Sequence, residues 1–344
     1  MMSSELAALG WDAFFDAQLT DDERISSQPA RISAVHRDRV TALLPDGPRD
    51  LTLDPGHATH EIAVGDWVLA DAVAHRVLRR LDRRTTLQRG TDYHALDRQL
   101  IAANVDTLFI TTSCNADFNA ARLERYLAIA HDAGVHPVIL LTKIDKTDDA
   151  ESYVTAARGL GRDLDVVALN AKSMETAALL APWCAQGQTV ALAGSSGVGK
   201  TTLTNALTGQ SKATRAIRED DARGRHTTTG RSLHRLPGGG WLIDTPGMRG
   251  LGVAEATVGI DATFPEISER APLCRFRDCQ HDGEPGCAVQ AAVDAGEIDA
   301  DRLRRYIKLR REDAQAAETI AAAKSKARKG AVPPRPGTRR RKPR

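Results

Sequence analysis

Apolar positions along this chain change rhythm twice. From residue 30 to 82 they come in short runs. Ala30–Leu44 reads as extended, Asp46-Gly47 as a hairpin turn, and Leu51-Thr52-Leu53 as the start of a returning strand. Val64–Leu69 and a stretch near Arg76–Leu81 read as further strands. Short strands closely spaced by turns predict a small barrel. From about residue 100 the pattern alternates. Strand candidates at Thr107–Thr112, Val138–Leu141, Val166–Leu169, Thr189–Ala193 and Trp241–Ile243 are joined by helical patterns at Ala120–Ala133, Ala150–Leu160 and Met174–Cys184. That rhythm predicts an α/β unit, a parallel sheet with helices on both faces. After Gly252 it breaks again. Residues 264–290 are polar and rich in Cys, Pro and Gly, and 297–323 are rich in Ala, Arg and Glu and read as helix. The end, PPRPGTRRRKPR, is too polar and Pro-rich to order alone. Ahead of the barrel, Leu6, Leu9, Phe14 and Leu19 read as one face of a short amphipathic helix.

Length and composition narrow the class. The 344 residues leave room for two or three domains with real cores. No apolar run approaches the roughly 20 residues that cross a bilayer, so no membrane partner is expected. The N-terminus carries acids and no basic stretch, which argues against a secretory signal and for a cytoplasmic protein. The net charge of +2 conceals an asymmetry. Residues 324–344 hold ten Lys or Arg and no acid, so the remainder carries −8. A basic tail of this kind can contact nucleic acid. Of five cysteines, Cys114 and Cys184 stand alone in apolar stretches and read as core. The other three cluster around His281, which suggests a metal in a reducing compartment.

The strongest chemical signal is Gly194-Ser195-Ser196-Gly197-Val198-Gly199-Lys200-Thr201, followed by Thr202. It matches the phosphate loop G-x-x-x-x-G-K-[ST] and sits between an apolar strand and a helical segment, as that motif requires. Its glycines let backbone N–H groups close on phosphate oxygens at a helix N-terminus. Lys200 is expected to reach the β- and γ-phosphates, and the Thr201 hydroxyl to ligate Mg2+. Trp241-Leu242-Ile243-Asp244-Thr245-Pro246-Gly247 places an acid at the end of an apolar strand, where Asp244 is expected to help hold Mg2+. The Gly247 N–H can bond the γ-phosphate and sense its loss. Between these motifs lies Gly224-Arg225-His226-Thr227-Thr228-Thr229, a switch expected to add a threonine to the Mg2+ ion. Thr228 is taken as a nucleotide-binding residue, although the run does not itself say which hydroxyl serves.

The base is read elsewhere. Thr142-Lys143-Ile144-Asp145 follows the apolar strand Val138–Leu141. Guanine presents N1–H and N2–H2 side by side, and the Asp145 carboxylate can accept both. Adenine would leave that carboxylate unsatisfied, a penalty of order 100-fold or more. The Lys143 stem can lie along the base. Asn170-Ala171-Lys172 resembles a loop that offers a backbone N–H to guanine O6. The base readers therefore precede the phosphate loop, the reverse of the order in a Ras-like GTPase. Each motif sits at the carboxyl end of a strand, so a circular permutation keeps the site intact.

With Val64-Gly65-Asp66-Trp67, the reversed motif order, the Gly224–Thr229 run and the cysteine cluster, the chain resembles the circularly permuted GTPases of small-ribosomal-subunit biogenesis, the RsgA (YjeQ) type. The resemblance covers about residues 30–310. It implies an N-terminal OB-fold, a central GTPase, a C-terminal zinc domain, binding to the 30S subunit late in its maturation, and GTP hydrolysis stimulated by that subunit. The expected division is an N-terminal helical extension (1–28), an RNA-binding OB-fold barrel (29–90), a circularly permuted P-loop GTPase (91–255), a zinc-binding helical domain (256–323) and a disordered basic tail (324–344). Thr142 departs from the family's usual Asn, which would bridge to the phosphate loop, so weaker nucleotide binding is expected. Asn170 stands where Ser is more usual.

Catalysis leaves more open. Met248 follows Gly247 where many GTPases carry Gln, so intrinsic hydrolysis is expected to be slow. His226 is the expected water-positioning residue, which the resemblance supports; Arg249 is a weaker candidate as an arginine finger. Cys274, Cys279, His281 and Cys287 offer four N/S ligands within fourteen residues, a closed tetrahedral zinc set. The barrel is basic, with Arg31, Arg37, Arg39, Arg49, Arg76, Arg79, Arg80, Arg83 and Arg84, but has Trp67 as its one aromatic. Phosphate and shape contacts to folded 16S rRNA are expected, rather than base stacking. The cofactors expected are GTP or GDP with Mg2+ and one structural zinc, in a monomer. Two other readings use the same residues: a nucleotide-gated rRNA-binding module with incidental hydrolysis, and a P-loop ATPase, against which Asp145 argues.

Overall fold

Leu6, Leu9, Phe14 and Leu19 do not share one helix. The computed structural model describes residues 4–53, 58–71, 73–89, 99–210, 231–244 and 256–330, and it begins with three short helices, α1 (Ser4–Ala8), α2 (Ala13–Asp16) and α3 (Asp21–Ser26). Gly10, at φ 92°, ends the first turn, and the side chains of Asp12 and Thr20 cap the next two helices. Phe14 is left 39% exposed, while Trp11 and Phe15 pack on Trp67 with ring centroids 4.8 and 5.7 Å away. Each such pair adds roughly 0.5–1.5 kcal/mol beyond area burial.

The alternation downstream gives β1 (Gln28–Val35), β2 (Arg39–Leu44), β3 (Gly47–Leu53), β4 (Trp67–Asp71) and β5 (Arg76–Arg80). The extended run Ala30–Leu44 is thus two strands, turning at 36–38. Pairing β1–β2–β3–β5–β4 and back to β1 closes the expected barrel. Ile32, Val40, Ala42, Leu51 and Val68 fill it. Strand β4 starts later than the sequence suggests because the Asp66 carboxylate turns the chain by accepting from Ala63 N, and is itself held by Arg83.

An antiparallel pair, β6 (Thr86–Arg89) and β7 (Gln99–Ala103), leads into the α/β unit. That unit comprises β8 (Thr107–Ser113), α4 (Ala120–Asp132), β9 (His136–Thr142), α5 (Ala150–Arg158), β10 (Asp165–Ala168), α6 (Thr176–Leu180), β11 (Thr189–Gly194), α7 (Lys200–Thr208), β12 (Ser232–Arg235) and β13 (Trp241–Asp244). Strands β10-β9-β8-β11-β13 are parallel, and β12 is antiparallel on β13. The bridge Ala34↔Ser232 joins this sheet to the barrel. Arg31 seals the seam. It is 2% exposed and donates to Leu9 O and, at 2.6 Å, to Thr189 Oγ1.

The last part holds α8 (Thr257–Thr263), α9 (Pro265–Ser268), α10 (Ala288–Asp294) and α11 (Ala300–Gly330). Helix α11 runs seven residues into the segment from 324 that was expected to lack order. The physical reason is composition: Ala, Lys and Arg persist, and no Pro occurs before residue 333. Helix α8 lies close on α4, and a buried charge cluster ties α11 to the same helix. Arg302 Nη1 and Arg305 Nε donate to Glu124 at 2.9 and 2.7 Å, and Arg302 Nε donates to Glu266 at 2.6 Å. Asp313 accepts from Ala256 N and from the Thr257 hydroxyl, fixing the start of α8.

Candidate nucleotide site and Cys/His centre

The parallel order places the ends of β9, β10, β11 and β13 along one edge of the sheet. Gly194 ends β11 at φ 134°, and a Cβ there would lie 2.2 Å from Thr111 O, so only glycine lets β11 pass this close to β8. The loop then turns through Gly197 into Gly199, which begins α7 with Lys200 as its first residue. Ser195 and Ser196 lie on the loop, Val198 is buried at its base, and Thr201 and Thr202 lie in the first turn of α7. Lys200 Nζ donates to Gly194 O at 2.8 Å and to Ser195 O, folded over the place that phosphate oxygens would take.

Thr142 changes one expectation. Its hydroxyl lies 2.6 Å from Val198 O and 3.0 Å from Thr112 O, fully buried. The link from the base-reading strand to the phosphate loop, expected to weaken without Asn, is therefore made by threonine. Lys143 takes a left-handed turn (φ 60°), followed by the 3-10 turn Ile144–Lys146. Asp145 lies in that turn with Lys146 Nζ at 3.5 Å. After β10, Asn170 Oδ1 accepts from Lys172 N at 3.0 Å, and Asn170 O accepts from the Thr176 hydroxyl at 2.9 Å. Asn170, which stands where Ser is more usual, thus shapes the turn around Ala171. Asp244 ends β13, opposite Ser232. His226, Thr228 and Gly247, with the rest of 211–230 and 245–255, lie outside the described residues.

The second centre is compact. Cys274, Cys279, His281 and Cys287 bring their ligand atoms within 4.8 Å of one another, so they could hold a metal. The Cys274 and Cys287 sulfurs are 3.8 Å apart, and His281 Nδ1 lies 3.6 and 3.4 Å from them. A tetrahedral ion with Zn–S of about 2.3 Å and Zn–N of about 2.0 Å requires edges of about 3.8 and 3.5 Å. A disulfide, at about 2.05 Å, is far shorter. Cys114 and Cys184 are buried away from this centre, and burial pushes the Cys184 thiol up to about 12.

The barrel is less available to RNA than its arginine count implied. Arg31 is buried, and Arg39, Arg49, Arg76, Arg79, Arg83 and Arg84 face Asp50, Asp46, Asp71, Glu23, Asp66 and Asp12. Trp67 is 1% exposed under α1–α3 and offers no face to a base. The partners of Arg79 and Arg84 lie 56 and 72 positions away in sequence, and no spacing signalled them.

A phosphate loop joined through Thr142 to a base-reading turn, with the motifs in permuted order, a barrel before them and a Cys/His centre after, defines a circularly permuted P-loop GTPase. A family model described as RsgA GTPase matches residues 80–254. The small ribosomal subunit biogenesis GTPase RsgA of Mesorhizobium japonicum is 57% identical over 311 residues, covering 89% of each chain. RsgA 2 of Vibrio vulnificus is 49% identical, covering 92% of this chain and 90% of its own. The crystal structure of YjeQ from Thermotoga maritima matches with TM-score 0.62 at 23% identity, over 82% of this chain and 97% of that one. YloQ, titled a circularly permuted GTPase, matches with TM-score 0.57 at 23% identity, over 87% and 96%. The chain belongs to the RsgA GTPase family and is a GTP-hydrolysing enzyme.

Proposed function

We propose that this GTPase acts in late maturation of the 30S ribosomal subunit, as a cytoplasmic monomer that contacts 16S rRNA and is stimulated by the subunit. The observation that carries this reading is near-full-length similarity, at 57% identity, to a protein named as a small ribosomal subunit biogenesis GTPase, together with the site geometry above. Among the described residues no helix is long and apolar enough to cross a membrane.

The roles follow from position. Asp145 accepts guanine N1–H and N2–H2, the Lys143 stem covers the base, and the backbone at Asn170–Lys172 donates to O6. Gly194–Gly199 N–H groups and the α7 N-terminus take the phosphates. On GTP binding, Lys200 exchanges its two carbonyl partners for β- and γ-phosphate oxygens, which holds the leaving group as charge develops. Thr201, Asp244 and one threonine of 227–229 are the groups that would hold Mg2+, which supplies charge neutralisation at the phosphates. Gly247 senses the γ-phosphate, and His226 positions the attacking water. Cys274, Cys279, His281 and Cys287 would hold one structural zinc, with four protein ligands and no open coordination position. Asp313 on α11 accepts from Ala256 N, the first described residue after the Asp244 motif, which supports a C-terminal domain that responds first to γ-phosphate loss.

Asp145→Asn tests the base reading. An amide in place of the carboxylate cannot accept both guanine donors, so GTP affinity falls by about 100-fold, while xanthosine triphosphate, with an acceptor at position 2, gains. Equal GTP affinity in the variant overturns that role. Co-sedimentation with 30S particles in GTP analogue and in GDP tests the partner: binding favoured by the analogue is expected, and binding in neither state overturns it.

A further inference from the structure

About 510 Å3 of space opens between the segment around residues 271–281 and one face of α11. That lies in the ~300–1,000 Å3 range of small-molecule sites and far exceeds what a metal ion needs. Cys274, Cys279 and His281 contribute to its wall, so it adjoins the metal-ligand set while extending well beyond it. On α11, Tyr306 and Arg310 stand one helical turn apart and share a face. Tyr306 is fixed by ring contacts with Phe264 and His281 at 5.4 and 6.3 Å, and its hydroxyl lies 3.3 Å from Asp261 Oδ1. Arg310 Nη1 is buried without a hydrogen bond among the described residues; Asp261 Oδ1 is 3.8 Å away.

Arg277 also lines the cavity, exposed and without an ion pair among the described residues. Beside it Phe276 is 43% exposed, with the Arg275 guanidinium 5.5 Å from its ring centroid. A half-exposed ring among cations contributes little to a core. It does offer a stacking surface next to Arg277, whose guanidinium has no ion pair among the described residues.

We propose that this cavity takes one unpaired RNA nucleotide, its base against Phe276 and its phosphate on Arg277. The proposal deepens the 30S reading and rests on it. Unpaired bases splayed from RNA are bound by stacking on aromatic rings with flanking phosphate contacts. An acidic peptide would satisfy the arginines but leave the ring unused. The site differs from the barrel in its ring, since Phe276 is 43% exposed while the barrel's one tryptophan is covered.

The test uses full-length, zinc-loaded protein and fluorescent single-stranded oligo-U and oligo-A hexamers at about 0.2 M salt, where non-specific phosphate binding is weak. Phe276→Ala is expected to weaken binding about tenfold, the value of one lost stack. Arg277→Gln is expected to weaken it and to lower the slope of log affinity against log salt by about 0.7. Both positions are surface-exposed. Arg304→Gln, exposed on the same helix and outside the cavity, is expected to change affinity little, and intrinsic GTP turnover stays constant throughout. Unchanged binding in Phe276→Ala overturns the pocket, as does equal competition by an oligo-glutamate peptide. Stimulation by 30S particles is measured on the same proteins. If wild type is stimulated but the Phe276 and Arg277 variants bind hexamers normally, the pocket alone falls. If wild type is not stimulated while the variant effects hold, the maturation reading falls and the pocket stands.

Discussion

Gly259→Ala sets two effects of known size against each other. Gly259 lies inside α8, where alanine is the better helix former by roughly 0.5–1 kcal/mol. A Cβ at this position, however, would lie 2.0 Å from Ala128 O and 2.7 Å from Asp132 N and Cβ, all on α4. Ordinary carbon–oxygen contact is about 3.3 Å or more, so α8 must retreat by more than 1 Å or α4 must bend. Overpacking of this kind costs about 1–3 kcal/mol, and the obstacles are mainly backbone, which cannot swing aside as a side chain can. The contact outweighs propensity, and the net loss is about 1–2 kcal/mol. Hydrogen exchange reads it directly: amides of α8 and the facing turns of α4 exchange about 5–30-fold faster, at 1.4 kcal/mol per tenfold. Gly159→Ala is the control, because its nearest neighbour would be Ala156 O of its own helix at 3.5 Å. Equal or slower exchange in Gly259→Ala would refute the argument that helix packing, with the Glu124 cluster, holds the C-terminal domain on the GTPase.

Thr142→Val removes the hydroxyl that reaches Val198 O while keeping its shape; GDP affinity is expected to fall about tenfold with the preference over ADP unchanged, and unaltered affinity in a calorimetric titration would remove the bridge. In the metal-loaded protein none of the five thiols is expected to react with an aromatic disulfide reagent; chelation should loosen the ligand segment and expose its three thiols, buried Cys287 included, while Cys114 and Cys184 stay in the core, where burial raises both; four or five reactive thiols in the folded, chelated protein would contradict that assignment. The Arg79 guanidinium, with Thr20 N–H, holds the Glu23 carboxyl down at about 2 against an ordinary 4.5. A depressed carboxyl stabilises above its unfolded value, so docking of α3 on the barrel is full above about pH 4.5 and weakens as pH falls toward 2. Glu23→Gln is expected to flatten that part of the profile in limited proteolysis of the first 27 residues, and an unchanged profile would assign it elsewhere.

Much of the architecture was legible because local rules carried it. Gly194–Thr201 needed an apolar strand before it and a helix after it, and both are formed by adjacent residues. The Cys/His set lies within fourteen residues, so its spacing alone announced a ligand set. What the sequence concealed depends on contacts between distant segments. The split of the first twenty-six residues into three helices follows from a glycine and two caps together with burial on Trp67. Arg79 and Arg84 became visible as neutralised only once the N-terminal helices, carrying Glu23 and Asp12, were packed on the barrel. Thr142 was judged by the residue it replaces, yet a buried hydroxyl at this distance makes the same link. Glu124 reads as an ordinary helix-face acid until Arg302, 178 positions later, is packed against it.

The central claim is that this permuted GTPase works for the small subunit. GTP turnover measured with and without purified 30S particles tests it most directly, with His226→Ala alongside. The expected result is slow intrinsic turnover, strong stimulation by 30S particles, and a variant that binds GTP but loses most of the stimulated rate. Turnover that is the same in both conditions would contradict the account and leave hydrolysis incidental to RNA binding.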